Sequence, residues 1–373
     1  MVYSLFVIFT IIILYIYHVG NCRNQKLIDL IFFLIWVIFA IEYYTTKDYP
    51  VYYKGFYALN LNENWEPIYR LLIAIFQPLG FIVFNACVAA FEIFTLCFFF
   101  KKIVSPHYRW ISLCVLILDT NNLFLLMNFK RQFFAMMVAL WIIHFLLYSV
   151  HKYKYILAAL VFLCAINIHS SAYISIGYFA LPLFKRRLNK PVIAVILLIY
   201  IASIGFALSS FSDQLMWLLN ATGSNSDYYD AYILQQADYE GTSSGFGFFS
   251  ILSNISLLLL LLIYNKDFNE RQYKFLLCSV LSFILLNILK GNFYRLNLYY
   301  SIFNIFTISI LLQILKNKKK QYLYTYMLCL TLAVPVKSYY NAFLSDKITF
   351  MTIKYKHFYT IFHSNPDKKD YLF

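Results

Sequence analysis

Long apolar runs recur along the chain, separated by short polar loops, and this rhythm predicts helices sunk in a bilayer rather than a soluble core. The runs fall at 2–18, 27–44, 80–100, 108–127, 132–149, 154–168, 171–184, 191–210, 248–264, 275–289, 297–315 and 322–336. About 20 apolar residues in a helix cross the ~30 Å of hydrocarbon, because only internal hydrogen bonds can satisfy a backbone there. Several runs are shorter than that ideal. A further short helix, from Pro67 to Gln77, precedes Pro78-Leu79-Gly80, a break expected of an interfacial or re-entrant helix feeding the third span. The fold class expected is all-α: a polytopic integral membrane protein with about 12 transmembrane helices. Residues 1–336 form a single membrane domain and 337–373 a polar tail.

Composition agrees with that reading: 62% of the 373 residues are hydrophobic, 21% aromatic and only 13% charged. The net charge of +14 does not point to nucleic acid, because the Lys and Arg are parcelled into separate loops, as orientation signals and lipid headgroups require. With the N-terminus outside, the inner loops carry 18 Lys and Arg and the outer loops before the tail carry seven. The tail after Val336, with six Lys, is placed outside. The first run has no basic segment before it and no small-residue cleavage site, so a removable signal peptide is not expected. The seven cysteines have neither CxxC nor Cys/His spacing and read as small hydrophobes; no metal site is expected.

The chemistry must then lie in the few polar residues the bilayer penalises. Four groups share the expected outer face. One is the loop after span two, containing Asp48 and Tyr52 and leading to Glu66, Tyr69 and Arg70. The second is Asn128-Phe129-Lys130-Arg131-Gln132 at the head of span five. The third is the turn Asn167-Ile168-His169-Ser170-Ser171-Ala172, and the fourth is Asn292-Phe293-Tyr294-Arg295. Arg131 and Arg295 are the sharpest, since a guanidinium matches phosphate oxygens and a helix start adds positive potential. The plainer alternative is an arginine reaching for lipid headgroups. His169 is a candidate general base by its near-neutral titration, or a histidine bonded within a helical hairpin. Two acids fall within apolar runs: Glu92, equally explicable as a protonated structural group, and Asp119, the better candidate for substrate contact. The longest polar segment, 211–247, has five acids, four tyrosines and no Lys or Arg; it reads as a sugar-facing lid or as a solvated outer loop.

Nucleotide chemistry has no footing: there is no P-loop, no GxSxG, no HExxH and no acidic pair to hold a metal–nucleotide sugar.

In order and spacing these residues resemble the EpsG family, bacterial Wzy-like polysaccharide polymerases. Asp48 and Tyr52, then Glu66 and Tyr69, match its first loop. Arg131-Gln132 matches the Arg-Gln that opens a helix, His169-Ser170-Ser171-Ala172 the His turn, and Arg295 the late arginine. Glu42 stands where the family places its first Arg and Thr46 where it places a Gly, so Arg70 supplies the missing charge or the first loop acts differently. The tail has no Pro-Tyr pair, which many relatives carry.

The resemblance implies a GT-C-like lipid-carrier glycosyltransferase in the bacterial inner (cytoplasmic) membrane, with its active site facing outward. Its substrate would be undecaprenyl-diphosphate-linked oligosaccharide, and no cofactor would be needed because the donor is already activated. His169 and Asp48 are then the catalytic candidates, Arg131, Arg295 and Arg70 the diphosphate ligands, and Gln132, Tyr52, Glu66 and Asp119 substrate contacts. Membrane lipids surround it, and a chain-length regulator is an implied partner. The competing readings are an O-antigen-type ligase, which usually carries a much larger outer loop with its own Arg and His, and a lipid-linked-sugar flippase, which predicts an internal repeat not found here.

Overall fold

A computed structural model describes residues 2–42, 48–58, 65–119, 123–207, 248–288 and 294–343. The proposed lid, 211–247, and the end of the tail, 344–373, lie outside the described residues. Apolar runs become helices because each buries its own backbone hydrogen bonds: α1 (Val2–Val19), α2 (Gln25–Ala40), α3 (Tyr49–Tyr57), α4 (Pro67–Phe76), α5 (Phe81–Ile103), α6 (Arg109–Leu118) and α7 (Leu123–Asn128) come first. They continue as α8 (Lys130–Leu147), α9 (Lys154–Ile166), a 3₁₀ helix (Ser170–Leu183), α10 (Lys190–Ala207), α11 (Phe248–Ile263), α12 (Glu270–Ile288), α13 (Tyr294–Asn317) and α14 (Gln321–Phe343). By length and composition, three helices among the described residues suffice to cross a membrane: Phe81–Ile103, Lys130–Leu147 and Arg295–Asn317.

Where the elements depart from the expected runs, the reasons are local. The run 108–127 divides into α6 and α7, because Asp119 leaves the helix with φ −82° and ψ 103°. Asp and Asn compete with helical hydrogen bonding through their own side chains, and the sequence there is Asp119-Thr120-Asn121-Asn122. The run 171–184 is wound as a 3₁₀ helix of 14 residues containing Pro182. At ~2.0 Å per residue such a helix reaches roughly 28 Å, so tighter winding lets a short run approach bilayer thickness. The short helix before the Pro78 break is α4. Gly80 follows it at φ 86° and ψ 160°, a conformation essentially reserved for glycine, and starts α5 in a new direction. The last helix continues through Pro335 and seven residues into the segment expected as tail.

Two compact units are present: Met1–Leu183 with Ile308–Phe373, and Phe184–Thr307. In the first, α5 packs against α2, α4 and α8; α8 packs against α9 and the 3₁₀ helix; and α6 packs against α1 and α14. Helix α8 is apolar on nearly every side and correspondingly buried, with Phe133, Ala135, Met137, Ala139, Ile142 and Ile143 fully enclosed. Lipid offers no hydrophobic drive for helix association, so close packing and polar contacts carry the load. Trp36 Nε1 donates to the Ala86 carbonyl (3.0 Å), Trp141 Nε1 to Thr95 Oγ1 (3.1 Å) and Tyr3 Oη to the Ile117 carbonyl (2.7 Å). Arg109, 7% exposed, donates to the carbonyls of Val104 (3.1 Å) and Lys101 (2.6 Å) and closes the end of α5. In the second unit α12 packs against α10 and α11, Phe275 stacks on Phe303, and Ser279 bonds Thr307 at 2.8 Å.

Candidate active site

Helix α8 opens with Lys130-Arg131-Gln132. Two cations at a helix N-terminus oppose the macrodipole, so the position demands carboxylates. Two supply it. Glu42 Oε1 lies 3.1 Å from Lys130 Nζ, with side chains 0% and 11% exposed. Lys130 also donates to Asn85 Oδ1 (2.6 Å), whose amide nitrogen donates to the Phe39 carbonyl (2.8 Å) at the end of α2. Beside this pair is a cavity of about 10 Å³, room for one water, lined by Lys130, Asn85, Tyr69 and the buried Glu92. The Glu92 Oε1 has no hydrogen-bond partner among the described residues.

The second carboxylate is Glu66. It stands just before α4 with extended backbone, and Pro67 in the first turn fixes where the helix begins. Its side chain does not cap α4. Oε2 accepts from Arg131 Nη1 at 2.8 Å, and Oε1 accepts from the Ser170 backbone N–H at 2.8 Å. One carboxylate therefore joins the head of α8 to the turn that carries His169. A second tie holds that turn, since the Ile68 N–H donates to the Asn167 carbonyl at 2.9 Å. The Arg131 guanidinium carbon lies over two aromatic rings, 4.7 Å from the Trp65 centroid and 5.8 Å from that of buried Tyr69. Its Nε is buried without a hydrogen-bond partner among the described residues. Tyr52, on α3, packs its ring 6.0 Å from Trp65.

His169 Nδ1 receives the Ser171 N–H at 3.1 Å and lies 2.7 Å from Ser171 Oγ. A backbone N–H can only donate, so the neutral ring carries its proton on Nε2. Asp48 pairs reciprocally with Asn128: its N–H donates to Asn128 Oδ1 (3.2 Å) and its Oδ2 accepts from Asn128 Nδ2 (3.3 Å).

Arg131, Glu66 and the His169 turn thus meet, with Tyr52 beside them through Trp65 and Asp48 tied to the residue two before Lys130. Gln132 is buried in the first turn of α8, 2% exposed. Arg70 is exposed on α4. Asp119 is bonded elsewhere, accepting from Ser338 Oγ on α14 at 3.2 Å. Arg295, in the first turn of α13, belongs to the second unit. Trp65 and Asn85 are additions to the residues named from the sequence, and the pairing of Lys130 with Glu42 joins two that were named apart. The signal for Trp65 was a tryptophan adjoining Glu66.

A family model described as the EpsG family matches residues 25–357. The chain belongs to the EpsG family. It is a membrane protein of a polysaccharide-polymerase-type family, and the matched span contains every candidate residue above. No curated protein and no solved structure matches it.

Proposed function

We propose that this EpsG-family protein polymerises lipid-linked oligosaccharide repeat units on the outer face of the bacterial inner membrane. It moves the growing glycan from undecaprenyl diphosphate to a terminal hydroxyl of another lipid-linked repeat, through a multi-spanning GT-C-like architecture of about 12 crossings. The observation that carries the proposal is the double bond of Glu66, to Arg131 and to the turn bearing His169.

In this reaction the bond between the sugar C1 and the diphosphate oxygen breaks, and its electron pair leaves with the diphosphate. The acceptor oxygen forms the new bond to C1 and gives up its proton. Growing charge on the leaving oxygens needs fixed cations in a dry setting. Arg131 is suited to that: the Trp65 ring lies against it, Glu66 holds one nitrogen, and Nε–H is left to donate. Arg70 is assigned to the same diphosphate, and Arg295, in the second unit, is kept as a further candidate diphosphate ligand. His169 is assigned as the base for the acceptor proton, in contact with Ser171 Oγ at 2.7 Å. Asp48 is the second candidate base, with Gln132, Tyr52 and Asp119 contacting sugar.

The test is a surface-glycan gel of a strain deleted for this chain and complemented with wild type, Arg131→Ala, Arg295→Ala or His169→Ala. The deletion is expected to leave single-repeat glycan, which wild type extends to a ladder and Arg131→Ala does not. An undiminished ladder in the deletion strain overturns the proposal. Loss of even the single repeat points instead to a ligase or flippase.

A further inference from the structure

The second unit contains two cations that the proposed reaction does not use. Arg187 donates from Nη2 to the Phe268 carbonyl at 2.6 Å, and its guanidinium carbon is 4.4 Å from the Tyr273 ring centroid. Lys274, 2% exposed, bonds the Phe184 carbonyl and places Nζ 5.7 Å from the same centroid. Tyr273 itself is buried and donates from Oη to the Arg186 carbonyl at 3.0 Å, so the ring both cations touch is fixed.

Carbonyl dipoles orient these groups but do not neutralise them. The ion pairs among the described residues are Lys101–Asp29, Lys130–Glu42 and Arg131–Glu66, and neither Arg187 nor Lys274 is in one. Arg187 Nη1 is buried with no hydrogen-bond partner among the described residues. Around them the chain adds exposed Lys185, Arg186, Lys190, Lys266 and Arg271 against two acids, Asp267 and Glu270. Enclosed charge held in no ion pair is unfavourable, and a guanidinium or ammonium that caps a single carbonyl keeps N–H donors for a further acceptor. Two cations on one ring, with a donor to spare, call for an anion with several oxygens.

We infer that Arg187 and Lys274 form a binding site for a phosphate-bearing anion, the headgroup of an anionic phospholipid. The orientation expected from the basic loops puts both segments on the inner side, where anionic headgroups meet basic pockets between helices. Chain-wide positive-inside bias accounts for the exposed lysines, but not for cations drawn in beneath them.

The test uses the full-length protein purified in detergent. Native mass spectrometry and thermal melting are recorded with phosphatidylglycerol, with phosphatidylcholine, and with inorganic phosphate. Wild type is expected to retain phosphatidylglycerol over phosphatidylcholine and to melt higher with it. Arg187→Gln should weaken retention roughly tenfold, the worth of one charge-assisted hydrogen bond, and exposed Lys266→Gln should not. Arg187→Lys, which keeps the charge, covers the case in which Arg187→Gln fails to fold and should retain intermediate affinity. Stabilisation by phosphate with no lipid retained overturns the lipid assignment in favour of a soluble anion. Equal retention of the two lipids, with no shift by phosphate, overturns the site.

Discussion

Lys130→Met probes the buried pair at the head of α8. Lys130 is 3.1 Å from Glu42 and 2.6 Å from Asn85, with the lysine side chain 11% exposed and the carboxylate 0%. Removing the ammonium leaves Glu42 buried without its cation, and breaking such a pair costs about 3–5 kcal/mol. Replacing both partners removes the desolvation along with the attraction, so Lys130→Met/Glu42→Gln should cost only about 1 kcal/mol. The double variant should then be about 2–4 kcal/mol more stable than Lys130→Met alone, a non-additivity well beyond what independent sites show.

The assay is thermal unfolding in detergent–lipid micelles, followed by tryptophan fluorescence. An unfolding entropy of ~2.1 cal/mol/K per residue gives ~0.8 kcal/mol/K for the chain, so 3–5 kcal/mol lowers the midpoint by roughly 4–6 °C. The double variant should recover most of that loss. A single variant melting within about 1 °C of wild type refutes the reasoning, as does a double variant no better than the single one.

Glu66→Ala removes the acceptor for both Arg131 and Ser170; with both side chains of the ion pair 18% exposed, the stability cost should be only about 2 kcal/mol. Its effect on glycan should be disproportionate: a ladder as short as that of Arg131→Ala, read on the same gel, with Glu66→Gln intermediate. Gly80→Ala meets only ordinary contact at Tyr57 Oη (3.7 Å), so its cost is conformational, from φ 86° and ψ 160°, about 1–3 kcal/mol in the same melts. Burial pushes the Cys22 thiol up from its ordinary value, so at neutral pH less thiolate is present. Maleimide labelling of a variant retaining only Cys22 should therefore be slow at pH 7 and rise about tenfold per pH unit through pH 9; a plateau below pH 8.5 counts against it.

Much of the helical architecture is legible in the apolar runs, because in a bilayer length and hydropathy decide whether a backbone can be buried at all. The Pro78–Gly80 break was equally readable, since both residues impose their own geometry. The break at Asp119 was harder: a polar residue inside an apolar run reads as a decorated helix until its extended backbone is seen. Winding of 170–183 as 3₁₀ left no sequence signal, because apolar spacing there suits either helix. At the site, short motifs named Glu66, Arg131 and His169 separately. Their union rests on contacts 65 and 104 positions apart along the chain, which no spacing encodes. The pairing of Lys130 with Glu42 was equally hidden, since 88 positions separate the two along the chain.

The two ion pairs at the head of α8 differ in a way that bears on the proposed reaction. Lys130–Glu42 is sealed, braced by Asn85 and closed to solvent on the carboxylate side, so it holds the helix start against an adverse dipole. Arg131–Glu66 is partly open, and the arginine keeps a donor in reserve. In the proposed reaction Glu66 orients Arg131 through Nη1 and leaves Nε–H for the diphosphate. Glu66 also holds the Ser170 N–H in the turn that carries His169. In the proposed reaction one carboxylate therefore positions both the arginine that meets the diphosphate and the turn that carries the histidine, with Lys130–Glu42 fixing the helix start beside them.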